Sequence, residues 1–209
     1  MFKRNLWGVA VKAASIAVVC SMLAASPADA FYRAGRVWTS TTTAKSPTVF
    51  SGSLSSSLIA TASASNLKWG GLQNSSLNTG SVFVTSSLNT HDNASFKIFM
   101  QDNYVAFGDA SPGITLTCSG CDFASISLNT QWVWSNQFLD TPKSTAHLGY
   151  VDSATVVLHE LGHAYGLDHP DNDPNTPLTA AEVASVMFVT FTIKRNLTSD
   201  DIAGIASMY

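Results

Sequence analysis

The sequence predicts an α+β fold built as one domain, and three observations carry that expectation. Short β-rich runs bounded by turn residues crowd the stretch from 81 to 129. Apolar residues at three- and four-residue steps, the helical signature, lie on either side of it, over 49–69, 154–164 and 202–208. A length of 209 residues then suits a single core, once an N-terminal appendage is set aside.

That appendage comes first. Lys3 and Arg4 form a positive start, residues 13–25 are an apolar run, and Ala28-Asp29-Ala30 is a small-residue cleavage site. The run is too short for a membrane anchor, so residues 1–30 are expected to be a cleaved signal peptide. Bulky Val19 before Cys20 argues against lipidation. The domain itself is then 31–209, with 8 basic and 13 acidic groups, net −5. Sparse charge and no basic patch exclude a nucleic-acid binder. The expectation is a secreted or periplasmic monomer.

Residues 31–38, aromatic and basic, lead toward a first strand. The Ser/Thr/Ala-rich stretch 39–65 carries Val49, Phe50, Leu54, Leu58, Ile59 and Ala62 at helical steps, which predicts a helix that Gly70-Gly71 ends. Residues 81–87 and 96–100 read as strands around a turn at 89–93, and 104–107 as a third β-rich run before the loop 108–113. Two further strands, 114–118 and 124–129, flank Cys118-Ser119-Gly120-Cys121. In an exported chain this C-x-x-C spacing favours a disulfide over a redox motif, which lacks its helix, or a zinc site, which lacks two further ligands. Trp132, Trp134 and Phe138 read as core aromatics, with cleft lining as the alternative. His91 and His147 read as surface or hydrogen-bonded.

Residues 159–169 read H-E-x-x-H-x-x-G-x-x-H. Positions four apart share a helix face, so His159 and His163 can aim two imidazoles at one centre. Glu160 follows about 100° further round, beside a metal rather than on it. Gly166 stops the helix with a backbone angle that a Cβ resists, and the returning chain brings His169. Packed, hydrogen-bonded histidines are the plain alternative. Against it, three of the five histidines and one of the two glutamates of the whole chain fall in these eleven residues. Three neutral imidazoles and one open position describe catalytic zinc, with Glu160 as the base. Asp152 or Ser153 caps the helix, and its stripe of Ala154, Val157, Leu158, Leu161 and Ala164 is buried, with His159, Glu160 and His163 opposite. Asp171, Asn172, Asp173 and Asn175 offer oxygens in the next loop, but without a calcium-loop spacing, so calcium is possible and unsupported. Thr198 and Asp201 form the capping box of a last helix whose inward face is Ile202, Ile205 and Met208.

These residues resemble the metzincin zinc endopeptidases, and most of all the matrixins and their bacterial relatives. The resemblance rests on residues 159–169, on Ser185-Val186-Met187 at the place of the family's Met-turn, and on 197–209 with its paired Asp200 and Asp201. It covers the C-terminal third of the chain. It implies a twisted, mostly parallel five-stranded sheet with one antiparallel edge strand, three helices, and a cleft between that edge strand and the Met-turn segment. It also implies an endopeptidase acting on a protein or peptide substrate, with one zinc held by His159, His163 and His169 and Glu160 as general base. Departures are specific: no cysteine-switch propeptide follows the leader, no His and Asp series for a structural zinc precedes the helix, Pro170 replaces the usual Ser, and Phe188-Val189 offers no tyrosine. The resemblance further suggests that the ammonium of a chain beginning at Phe31 pairs with Asp200 or Asp201. An exported zinc-containing binding module with little turnover is the alternative, and an intact Glu160 weighs against it.

Overall fold

A computed structural model describes residues 32–41, 43–136, 149–172, 177–188 and 192–209. In chain order the elements are β1 (Tyr32–Arg33), β2 (Thr48–Phe50), α1 (Ser56–Lys68), β3 (Phe83–Thr85), α2 (Leu88–Asp92), β4 (Phe96–Gln101), α3 (Asn103–Phe107) and β5 (Gly113–Thr117). There follow β6 (Ala124–Asn129), β7 (Trp132–Ser135), β8 (Gly149–Asp152), α4 (Ser153–Ala164), β9 (Leu167–Asp168), a 3-10 turn (Pro170–Asn172), α5 (Ala180–Ala184) and α6 (Ser199–Ala206). The main sheet has five strands in the order β3-β2-β4-β6-β5. All neighbours are parallel except β5, which runs antiparallel to β6 with Gly113 opposite Leu128 and Thr117 opposite Ala124. This is the expected mixed sheet with one antiparallel edge, carrying three longer helices, α1, α4 and α6.

Strand β6 is buried along its whole length, as a strand covered on both faces must be. Ala124, Ile126 and Leu128 enter the main core, while on the other face Ser127 donates to Asn103 Oδ1 at 2.5 Å and Asn129 Nδ2 donates to Ser111 O at 3.0 Å. Helix α4 packs against α1, β5 and β6. Its buried Val157, Leu158 and Leu161 each contribute on the order of 1.5–3 kcal/mol. Polar ties lock the pair of helices in place: the Trp69 indole N–H donates to Leu158 O at 3.1 Å, and the Tyr165 hydroxyl donates to Asn66 Oδ1 at 2.5 Å.

Several sequence expectations need correction. The helix expected from Val49 onward begins at Ser56, with Ser55 as its cap; Val49 and Phe50 belong to β2. Apolar steps of three and four had bridged a strand and a helix, whose junction is the bend at 51–53, where the Ser53 hydroxyl donates to Phe50 O. Residues 104–107 are helical, because Asp102 accepts from Val105 N and Gly108 closes the turn at φ +71°. The turn at 89–93 holds the short helix α2, capped by Ser87. His91 is buried, with Nε2 3.3 Å from Ile98 O and Nδ1 3.1 Å from Asp92 Oδ1. Trp134 packs against the core, whereas half-buried Trp132 donates to Ala110 O in the loop before β5. The first strand is a two-residue strap: Tyr32 lies opposite Asp168 and Arg33 opposite Leu167.

Cys118 and Cys121 are joined by a disulfide. The turn they close holds the chain behind the strap, with Gly120 N donating to Arg36 O at 2.8 Å and Thr39 N to Asp122 Oδ1 at 2.6 Å. No helix among the described residues is long and apolar enough to cross a membrane. Residues 1–31, Phe138, His147, Asp173, Asn175 and Val189 lie outside the described residues.

Candidate metal centre

Helix α4 positions two of the three histidines, and its ends are fixed by specific groups. Asp152 caps it, accepting from Thr155 N at 2.8 Å and Thr155 Oγ1 at 2.7 Å, and forms an ion pair with Arg195. Burial works against the Asp152 carboxylate, but Arg195 and Thr155 outweigh it and hold its pKa below the usual value. At the other end Gly166 adopts φ +95°, and a Cβ there would strike the carbonyl of Gly35. The chain can therefore reverse directly into β9 and deliver His169.

The three imidazoles converge. Nε2 of His159 lies 3.0 Å from Nε2 of His169 and 3.1 Å from Nε2 of His163, and the third edge is 3.0 Å. His159 Nδ1 donates to Val186 O and His163 Nδ1 donates to Leu167 O, each at 2.8 Å. A neutral imidazole whose Nδ1 donates has a lone pair at Nε2. The His159–His163 edge therefore brings two lone pairs together rather than forming a hydrogen bond. A cation at the centre relieves that repulsion, and edges of this size suit an ion that binds imidazole nitrogen at about 2.0–2.1 Å. Burial, followed by the charge of His163, pushes the His159 pKa down to about 3, and the same two causes lower His169. Neutral rings are what metal ligation requires.

Glu160 lies next to this cluster and is 5% exposed. The expectation that it stands on an open helix face is thus corrected: the edge strand β5 covers it. Thr115 Oγ1 donates to Glu160 Oε2 at 2.6 Å and is 3.1 Å from the Glu160 main-chain oxygen. A Cβ at Gly113 would come within 2.5–2.7 Å of Oε1, Cγ and Cδ of Glu160. Burial raises the Glu160 pKa, opposed by His163 and Thr115 and assisted by Asp109. A cleft of about 400 Å³ opens above, with Ser111, Gly113 and Thr115 on one side and Leu167, Asp168 and His169 on the other. Among the described residues the third-ligand segment thus lines this cleft opposite the edge strand.

The Met-turn supports the ligands from behind. Met187 is 1% exposed, and its Sδ occupies the space that a Cβ on Gly162 would need. Val186 O orients His159, while Val186 N donates to Asp201 Oδ1 at 3.2 Å and the Ser185 hydroxyl donates to the same oxygen at 2.5 Å. Asp201 Oδ2 accepts from Thr198 N and Thr198 Oγ1, each at 2.7 Å, completing the expected capping box.

Residues 124–209 match the family model described as Matrixin. This part of the chain is similar to the matrixin peptidase domain, and the histidine triad lies within it. No curated protein matches it. The matched residues run from β6 through α6 and include all three histidines and Ser185-Val186-Met187. Matrixins are metalloendopeptidases, typically extracellular, whose substrates are peptides. The triad of His159, His163 and His169 is consistent with the catalytic zinc typical of them.

Of the other residues marked in the sequence, Asp201 joins the site through Val186, whereas Asp200 stands apart. Asp200 Oδ2 is buried and has no hydrogen-bond partner among the described residues; burial, then the neighbouring Asp201 and Glu182, raise its pKa to about 7. Sequence reasoning missed Gly113 and Thr115. Both point to one face of β5, two residues apart, which is the only signal that links them.

Proposed function

We propose that this protein is an exported zinc endopeptidase in which Glu160 is the general base and His159, His163 and His169 hold a single catalytic zinc. The convergence of three Nε2 atoms beside a buried carboxylate, at the floor of a cleft, carries this reading. When bound, the ion supplies Lewis acidity to the scissile carbonyl and to the attacking water. Glu160 accepts the water proton and returns it to the leaving amine. The outer edge of β5 offers backbone N–H and C=O groups to an extended peptide lying across the cleft.

Replacing Glu160 by Ala tests the assignment. Zinc content, measured by elemental analysis, is expected to stay at one per chain while cleavage of casein falls by at least about 100-fold. Full activity in that variant would overturn the role of Glu160. A wild-type protein that binds zinc yet cleaves neither casein nor denatured collagen would point to the binding module instead.

Export rests on the leader in residues 1–30, with processing before Phe31. The unpartnered oxygen of Asp200 supports the further reading that the ammonium of Phe31 is its partner in the processed chain.

A further inference from the structure

The Thr115 hydroxyl joins two segments 45 residues apart, and it does so at the carboxylate on which the proposed chemistry depends. Glu160 has little access to bulk water, and Thr115 is its side chain's one hydrogen-bond donor among the described residues. A hydroxyl has a single proton to give, and two acceptors lie in reach, Glu160 Oε2 at 2.6 Å and Glu160 O at 3.1 Å. The shorter contact has the length of a hydrogen bond to an ionised carboxylate, so the proton goes there. Gly113, on the same face of β5, leaves the space in which the rest of the Glu160 side chain lies.

We propose that Thr115 is a positioning residue for the general base. This rests on the reading of Glu160 as that base. With Oε2 held by Thr115, Oε1 has no hydrogen-bond donor among the described residues and is the oxygen left to take a proton. Helix α4 sets where Glu160 begins, and the edge strand sets where its carboxylate ends. The same strand that presents backbone to the peptide therefore also aims the base.

The test uses Thr115→Val, Thr115→Ser and Glu160→Ala in the full mature chain. Thr115→Val keeps the shape and removes the hydroxyl. It is expected to lower kcat about 10-fold to 100-fold, the range for losing one hydrogen bond to a charged group, with KM changed less than about two-fold and zinc content unchanged. Thr115→Ser restores the hydroxyl and is expected to return kcat to within about three-fold of wild type. A second readout needs no activity: in the metal-free protein, Thr115→Val should shift the thermal midpoint in the wild-type background and leave it nearly unmoved in the Glu160→Ala background. Wild-type kcat in Thr115→Val beside an inactive Glu160→Ala, or midpoint shifts that simply add, would overturn the role of Thr115. Peptide cleavage by Glu160→Ala would overturn the base assignment and Thr115 with it.

Discussion

Gly113 is a glycine because Glu160 needs the space in front of it. Its backbone is ordinary strand, so the constraint is contact rather than conformation. Gly113→Ala forces three atoms of the Glu160 side chain aside, and an aimed carboxylate displaced by about 1 Å typically costs on the order of 100-fold in rate. The expected result is a folded, zinc-loaded protein with kcat reduced by roughly that factor, measured on a peptide substrate; wild-type kcat would show that Glu160 has room to spare. Gly166 is constrained in both ways, by a positive φ and by the Gly35 carbonyl. The two glycines thus serve the site differently, one by admitting a side chain and the other by turning the chain.

At the scale of elements, the metal centre depends on α6, an element that touches none of the histidines through the bonds described. Asp201 receives hydrogen bonds from Ser185, Val186 and Thr198, and Val186 in turn accepts from His159. Asp201→Ala leaves these buried donors unpaired. It is expected to cost at least about 3 kcal/mol of stability in urea titration. Zinc affinity should fall about 10-fold to 100-fold, as when a ligand's supporting shell is removed. Unchanged zinc affinity would separate α6 from the site. The legibility of these elements in sequence followed the range of their interactions. His159, Glu160, His163 and the capping box of Thr198 and Asp201 were readable because helix geometry relates residues three or four apart. Thr115 was not, because its partner lies across a sheet-to-helix contact that leaves no local pattern. Tyr104, Val105 and Phe107 read as strand because their apolar character suggests burial, yet all three are exposed on α3. Val49 read as helix because its spacing to Leu54 and Leu58 crossed an unmarked junction.

For the whole molecule, the raised pKa of Asp200 makes stability depend on pH, and the proposed pairing with the Phe31 ammonium would make it depend on processing as well. Its folded pKa, about 7 without the Phe31 ammonium, stands above the ordinary aspartate value of 3.8, so the folded state binds more protons than the unfolded state between these limits. Its contribution is therefore fully present below about pH 4 and is lost as pH rises toward 7. A mature chain extended by two residues before Phe31, compared with the same chain carrying Asp200→Asn, should lose thermal midpoint over that window. The chain starting at Phe31 should not, because the ammonium then favours the charged carboxylate. Parallel curves in all three would remove both the buried-acid effect and its pairing with the N-terminus.

The tie from His159 through Val186 to Asp201 also bears on time. A chain is made from its N-terminus, so the three histidines emerge before the helix that steadies the loop behind them. Tyr209, beyond α6, adds its own fastenings: its main-chain O accepts from Ser76 N at 2.7 Å, and its hydroxyl accepts from Val37 N at 3.1 Å. A nascent chain stalled before residue 198 carries every zinc ligand and lacks the structure that orients the first of them. Such a stalled chain should bind zinc far more weakly than the released protein, a difference that metal competition on arrested ribosomes would measure. Firm metal binding would then have to wait until α6 has been made.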